Sequence, residues 1–528
     1  MTTLDWIVGA IYIIGIVYLG IRIGKNTENT KDYFSGGKSF AWWPIAASII
    51  ATQVSAVTIV GAPGWAYESG LTPIVLNLNI PLVMWFVAAN LVPFFYNSGA
   101  VSIYEYLEGR FGYPTRATIS GVFILKILFI YGGIVLAPAL VLGKVMGIST
   151  VNAILILSVF SIFYTILGGL KAVIWTDVIQ VVIMWSGLAI SLYIIFQESP
   201  YSAGELLAKA KEAGKLTAIN FSTDFTAANT FWGGMIGCLV LHVAYFGTDQ
   251  PQVQRMLAAK NIGSLKKALW SASYVVVFHM ILFLGMGSLL YIFYEGREFE
   301  TGNDVYLAFL DYLPAGVLGL IVCSIFAAGM STIDSAINSL STVYVRDFHE
   351  RIINPKVTEK QKLRIAKICT FLFGIILCGS AIIISIYEKS SLLEALTKYG
   401  SFFTGSILGV FILAIYTTRA TGTATIIGFF AGFLIVALTA TNTDIFWMWY
   451  SAIGLVATVL IGYITSFVIG TVPDNISRYT LQGQKEYFAK NNLAETEGDY
   501  YVIPGKYERN SYWLIAYTIL MTILLASF

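Results

Sequence analysis

Apolar stretches of about 20 residues recur from Trp6 to Phe528, each long enough to cross the ~30 Å hydrocarbon core of a bilayer as a helix. No soluble core could absorb so many. The composition agrees: 57% of the 528 residues are hydrophobic and 12% are charged, about half the charged share of an ordinary soluble protein. The expected fold class is an all-α polytopic membrane protein. Apolar runs near 5–23, 42–67, 73–97, 117–146, 149–167, 173–196, 230–250, 268–294, 315–345, 364–387, 399–417, 422–440, 446–470 and 510–528 predict about fourteen transmembrane helices.

Charge placement sets an orientation. Asp5 precedes the first run and Arg22 and Lys25 follow it, the reverse of a signal peptide's basic start, so this run reads as a retained anchor with its amino terminus outside. Following the chain from there puts 24 of the 32 Lys and Arg on the cytoplasmic side, Arg255 and Lys266 among them, and 7 outside. That asymmetry is the positive-inside pattern, with both termini outside. A net charge of +2 gives no reason to expect a nucleic-acid partner. The four cysteines lie in apolar segments without CxxC spacing and the three histidines are scattered, so neither a disulfide framework nor a zinc site is expected. The polar loops are short except near 197–229 and 471–509, the second is too small for a catalytic domain, and neither GxxxxGK[ST] nor HExxH occurs. The chain reads as a protein that is not an enzyme.

Within the apolar runs, polar residues are patterned. In FAAGMSTIDSAINSLSTV, residues 326–343, Ser331, Asp334, Ser335, Asn338, Ser339 and Thr342 recur at three- and four-residue steps, with Thr332 at the edge, so they share one helix face. A carboxylate at mid-membrane costs about 2.5–3.5 kcal/mol on insertion scales, which favours an ion path or site over simple helix adhesion by Ser, Thr and Asn. Two other runs are broken. Thr52, Gln53 and Ser55 interrupt ASIIATQVSAVTIVGAPGWAY, and Gly247 and Pro251 bracket Thr248, Asp249 and Gln250 in HVAYFGTDQPQVQR. Carbonyls freed at membrane depth are tolerated only where they face a cavity or bind something. Paired interruptions in two halves of a chain point to an inverted-repeat transporter with its site at the midplane. Lys126, in VFILKILFIYGG, either snorkels to an interface or partners a buried acid or an anionic solute.

GGLKAVIWTDVIQ, residues 168–180, joins a tight Gly168–Gly169 turn to Asp177 at the start of the next helix. Alone, Asp177 could be a helix-start acid favoured by the dipole. Together with KDYFSGGKS, YEYLEGRFG at 104–112, QRMLAAK at 254–260 and the 326–343 stripe, it resembles the signature of the sodium:solute symporter family over roughly residues 30–420. The resemblance implies a five-plus-five inverted-repeat core of the leucine-transporter type at 42–417, a leading helix at 5–23, and three peripheral helices at 418–528 with a cytoplasmic loop at 471–509. It implies Na+ as coupling ion and no organic cofactor. A first sodium site would use the carbonyls of Ala51, Val54 and Ala328 with the hydroxyls of Ser331 and Thr332. A second, present in some members, would correspond to Asp177, Ser331, Asp334 and Ser335, with Asp334 standing where that pattern has Ser. Two acids near one site do not both stay ionised without a cation between them, so Asp334 either strengthens a sodium site or shares a proton.

Solute contacts of sugar-transporting relatives correspond to Thr58, Asn77, Ile80, His242, Val276 and approximately Thr397, with Tyr245 as an inner aromatic gate and Lys126 as a candidate partner for an anion. Val276 stands where a bacterial galactose carrier has Lys, and Ile130 where a sialic acid carrier has Arg, so neither substrate is copied across. His242 reads equally well as a satisfied core residue. The function expected is sodium-coupled symport, by alternating access, of a small polar organic solute: a sugar, a polyol, or an organic anion such as a sialic acid or monocarboxylate. Alternatives are proton coupling on the same fold and a membrane-embedded solute sensor. The expected partners are the solute, sodium ions and the lipid bilayer, and the chain is expected to work as a monomer in the plasma membrane.

Overall fold

The computed structural model describes residues 1–24, 29–387, 392–471 and 477–528; Lys25 and Lys389 of the orientation count lie outside them. Helix α1 (Thr3–Gly24) leads. Helices α2 (Trp42–Gln53) and α3 (Ala56–Ser69) form a pair bent by 54°, followed by α4 (Thr72–Ser98), α5 (Tyr113–Met146) and α6 (Thr150–Glu198). A second interrupted pair, α7 (Gly233–Thr248) and α8 (Gln250–Met256), precedes α9 (Ile262–Phe293) and α10 (Val317–Val343). The chain closes with α11 (Glu359–Tyr387), α12 (Leu392–Tyr416), α13 (Gly422–Asn442), α14 (Trp447–Thr465) and α15 (Trp513–Ala526). Among the described residues ten helices are long and apolar enough to cross a membrane, or up to eleven if the bent pair is one span.

The expected runs near 149–167 and 173–196 are two helices that follow one another across a kink at Gly169, together the 49-residue segment α6. Straight, it would be ~74 Å long, more than twice the hydrocarbon core. It kinks at Gly169 (φ 54°, ψ −151°). A Cβ there would lie 2.6 Å from the Tyr33 carbonyl oxygen, so the glycine both turns the chain and admits the short helix Thr30–Ser35 against the turn. The other two breaks fall at the polar interruptions. Val54 (φ −86°, ψ 83°) and Ser55 (φ −81°, ψ 167°) end α2, and Asp249 (φ −103°, ψ 124°) separates α7 from α8.

Helix α10 is the central strut. Every residue from Ile321 to Val343 is buried, and the helix packs along α6, α5, α11 and α1, with α2, α3 and α8 against its polar stripe. Its amino-terminal end is fixed by α1: Asp5 Oδ1 accepts hydrogen bonds from the backbone nitrogens of Gly316 (2.7 Å) and Gly319 (2.8 Å). A carboxylate satisfying the orphan donors of a helix start is favoured by hydrogen bonding and by the dipole. At the far end, Asp347 collects Arg116 Nη2 (2.5 Å), Ser120 Oγ (2.6 Å) and Ser102 Oγ (2.8 Å). Helices α3 and α9 cross so closely that a Cβ at Gly287 would lie 2.0 Å from the Pro63 carbonyl oxygen, the small-residue contact typical of membrane helices. The described part of the loop after α14 is packed rather than free: Lys266 Nζ meets Glu508 Oε1 at 2.5 Å, and Gly505 N donates to Ala89 O at 2.9 Å. Lys266 is therefore a buried ion-pair member, not the loop charge its sequence position suggests.

Candidate functional site

Both helix breaks open on one cavity of about 200 Å³. The first break contributes Thr52, Gln53 and Ser55, and the second contributes Asp249. The residues singled out from the sequence as solute contacts, Thr58, Asn77, Lys126, His242, Tyr245 and Thr397, all line it, beside apolar Ile130, Ile134, Leu241 and Met280. Ile80 and Val276 do not; both are fully buried in the surrounding packing. The ring of His242 is oriented by Asn79. The Asn79 amide nitrogen donates to Leu76 O and Gly234 O, each at 2.9 Å, so its oxygen is the acceptor for His242 Nδ1–H at 2.9 Å. With Nδ1 carrying the proton, a neutral ring presents Nε2 as a hydrogen-bond acceptor. Tyr245 is held by Gln252, whose Nε2 donates to its hydroxyl at 2.7 Å.

Lys126 does not snorkel. Its Nζ meets Asp249 Oδ1 at 2.9 Å, with the two side chains 8% and 4% exposed. The pair bridges α5 to the α7–α8 break, where Asp249 leaves helical geometry. Asp249 was visible in the sequence as part of the interruption but not as the partner of Lys126.

Adjoining the cavity are the residues carried over for a first sodium site. The carbonyls of Ala51 and Val54, released by the end of α2, accept no hydrogen bond among the described residues, and Ser331 lies beside Asp177. All three residues are fully buried. Thr332 Oγ1 donates to Ala328 O at 3.1 Å, and Thr332 also lines the cavity. An all-oxygen set of this kind suits a hard cation such as sodium.

Deeper along the stripe, Arg255, which the orientation count assigns to the cytoplasmic side, is 1% exposed. Its Nη1 donates to Ser48 O (2.6 Å), Ser48 Oγ (2.7 Å) and Asp177 Oδ2 (3.2 Å), and its Nη2 to Ser335 Oγ (2.8 Å). Ser48 Oγ itself donates to Asp177 Oδ2 at 2.5 Å. One guanidinium thus joins α2, α6, α8 and α10 through the residues carried over for a second sodium site. Asp334 is engaged separately: its carboxylate accepts from the Tyr164 hydroxyl and, at 3.2 Å, from Ser335 N. Asp177 Oδ1, the Gln180 side chain and the Tyr12 hydroxyl are buried in the same region, with Tyr12 beside Gln180 and Asp177 beside Ser331. Gln254 completes the stripe, donating to Asn338 Oδ1 (3.0 Å) and Thr342 Oγ1 (2.9 Å). A seven-residue helix at membrane depth carrying Gln250, Gln254 and Arg255 was the signal available for this network.

The sequence pattern of the sodium:solute symporter family matches residues 33–432. The chain belongs to that family. Among curated relatives, this symporter is 30% identical to a sodium/sialic acid symporter of Aliivibrio fischeri over 88% of its own length and 93% of that protein's. It is 33% identical to the sodium-coupled monocarboxylate transporter 1 of Mus musculus over 80% of its length and 70% of that protein's. Among solved structures, a Na+-coupled sialic acid symporter in a substrate-bound, outward-open state superposes with a TM-score of 0.83 at 27% identity, covering 89% of this symporter and 99% of that chain. The activity is sodium-coupled symport, and the protein is not an enzyme.

Proposed function

We propose that this symporter carries a small polar organic solute, of the sugar, polyol, sialic acid or monocarboxylate kind, through the cavity between the two helix breaks, with sodium bound at Ala51, Val54, Ala328, Ser331 and Thr332. The observation that carries this reading is the pair of buried carbonyls of Ala51 and Val54 released where α2 breaks, on a helix packed against α10, with Thr52 and Thr332 of the two helices lining the solute cavity. Coupling requires that sodium favour the state that binds solute, since an ion bound equally by both states shifts nothing. Ligands divided between a broken helix and an intact one meet that requirement, because they close on the ion only when α2 and α10 approach. Each sodium moving down 100 mV supplies roughly 2.3 kcal/mol.

A second cation is favoured by charge counting. Arg255 pairs with Asp177 and no cation pairs with Asp334 among the described residues, so with both acids ionised this buried cluster carries one excess negative charge. One monovalent cation balances it. Sodium there, using Asp177, Asp334 and Ser335, gives a second coupling ion; a proton on Asp334 gives proton coupling.

For the architecture we propose about fourteen spans, reached by counting α2–α3 once, α6 twice, and the shorter α7 and α15 as crossings. Breaks five spans apart support two inverted five-helix repeats within 42–417, with 5–23 leading and 418–528 peripheral. Both termini lie outside the plasma membrane, and the chain works as a monomer. The test is a thermal-shift screen of purified protein against sugars, polyols, sialic acids, monocarboxylates and vitamins, each in sodium and in choline. Stabilisation by one class in sodium only, lost in Ser331→Ala, is the expected result. Stabilisation that ignored sodium but followed pH would replace sodium by a proton.

A further inference from the structure

Cations near the amino-terminal end of α11 divide into two sets. Lys362 pairs with Glu359 (2.9 Å) and Glu350 (3.6 Å), and Arg346 pairs with Glu105 (3.0 Å) and Glu350 (2.9 Å). Lys360, Arg364 and Lys367 make no ion pair or hydrogen bond among the described residues. These three recur at four- and three-residue steps, so they stack on one face of α11. Together with Ile166 on α6 they edge an open groove of about 490 Å³, whose remaining wall is apolar Leu363, Ile368 and Phe371. The neighbouring acid, Glu359, is occupied by Lys362 and by Thr30 Oγ1 (2.6 Å). Below the cations, Ile368, Phe371, Leu372 and Ile375 are each about half exposed, a continuous apolar track along a helix whose spanning window is only 33% buried.

We propose that this groove binds an anionic phospholipid, its phosphate among Lys360, Arg364 and Lys367 and an acyl chain along Ile368, Phe371 and Ile375. Charge complementarity selects an anion. The apolar wall, continuous with the bilayer-facing surface of α11, selects a lipid over a free anion, because a soluble phosphate would leave that wall uncovered. Each basic residue near a membrane surface strengthens the attraction to anionic lipid by roughly fivefold in affinity, so three together give on the order of a hundredfold.

The test is native mass spectrometry of the detergent-purified full chain titrated with phosphatidylglycerol or phosphatidylcholine of matched acyl chains. Wild-type protein is expected to retain phosphatidylglycerol preferentially, and Lys360→Gln/Arg364→Gln/Lys367→Gln to lose most of that preference. Arg364→Gln alone, which removes one exposed and unbonded side chain, is expected to lose roughly fivefold and keeps the test valid should the triple variant fold poorly. Lys485→Gln/Lys490→Gln/Arg509→Gln, with the same charge change elsewhere, is expected to bind as wild type. Equal phosphatidylglycerol binding by the groove variants, an equal loss in the control triple, or displacement of the lipid by millimolar inorganic phosphate would each overturn the proposal.

Discussion

Lys126 and Asp249 offer a quantitative test of how the cavity is held together. At 2.9 Å the pair attracts by about 6 kcal/mol at an effective dielectric of ~20, offset by the desolvation of two ions with exposures of 8% and 4%. The net worth of the pair is therefore small, but the cost of breaking it is not. Lys126→Met leaves a carboxylate buried and unpaired, and Asp249→Asn leaves an ammonium so; each should destabilise by about 3–5 kcal/mol. Asp249 makes no side-chain cap to α8, so its replacement tests the ion pair rather than a helix start. In Lys126→Met/Asp249→Asn neither charge remains, and the loss should fall short of the sum of the singles by more than ~2 kcal/mol. Equilibrium unfolding in mixed detergent–SDS micelles measures all four corners of the cycle. Additivity to within ~0.5 kcal/mol would refute the reasoning, because independent sites add and a buried pair does not.

Exchanging sodium for choline should lower the melting temperature of the wild type, since sodium at 100 times its dissociation constant stabilises by about 2.7 kcal/mol. Ser331→Ala should abolish that difference; a loss of melting temperature in choline as large as in sodium would mean that the hydroxyl serves the fold rather than the ion. Arg255→Met should cost about 3–5 kcal/mol by stranding Asp177. Arg255→Lys should not restore folded yield, because a point charge cannot hold Ser48, Asp177 and Ser335 in the fork geometry. Asp334→Ser should change either the sodium Hill slope or the pH profile of uptake; if neither moved, Asp334 would have no part in the ion step. Gly287→Ala forces a methyl to within 2.0 Å of the Pro63 carbonyl and should cost roughly 1–3 kcal/mol, read as a lower midpoint in the same SDS titration.

The architecture was legible because hydrocarbon imposes a simple rule on sequence. Runs of sufficient length mark crossings, and polar residues inside them mark breaks, so the interruptions at 52–55 and 247–251 foretold non-helical Val54, Ser55 and Asp249. Periodicity likewise put Ser331, Asp334, Ser335 and Asn338 on one face. Pairing was not legible. Lys126 and Asp249 are 123 residues apart, and Arg255 reaches Asp177 across 78, separations over which nothing in local pattern speaks. The burial of Arg255 was hidden for a specific reason: the positive-inside count assigns a side of the membrane, and a cation buried in a network has the same sequence neighbours as one in a loop. The kink in α6 was legible too, since Gly168–Gly169 announced a turn between two helices and Gly169 is where the helical backbone breaks.

The clamp between Asp5 and the start of α10 joins residues 314 positions apart. Helix α1 leaves the ribosome well before α10, and at ~5–20 residues per second its docking partner follows roughly 15–60 s later. Through that interval the leading segment sits in or beside the bilayer with a carboxylate whose two backbone donors, those of Gly316 and Gly319, have not yet been synthesised. Its place in the finished protein is therefore taken late, after most of the spans between have been inserted. The order in which the transporter assembles is not the order in which it is made.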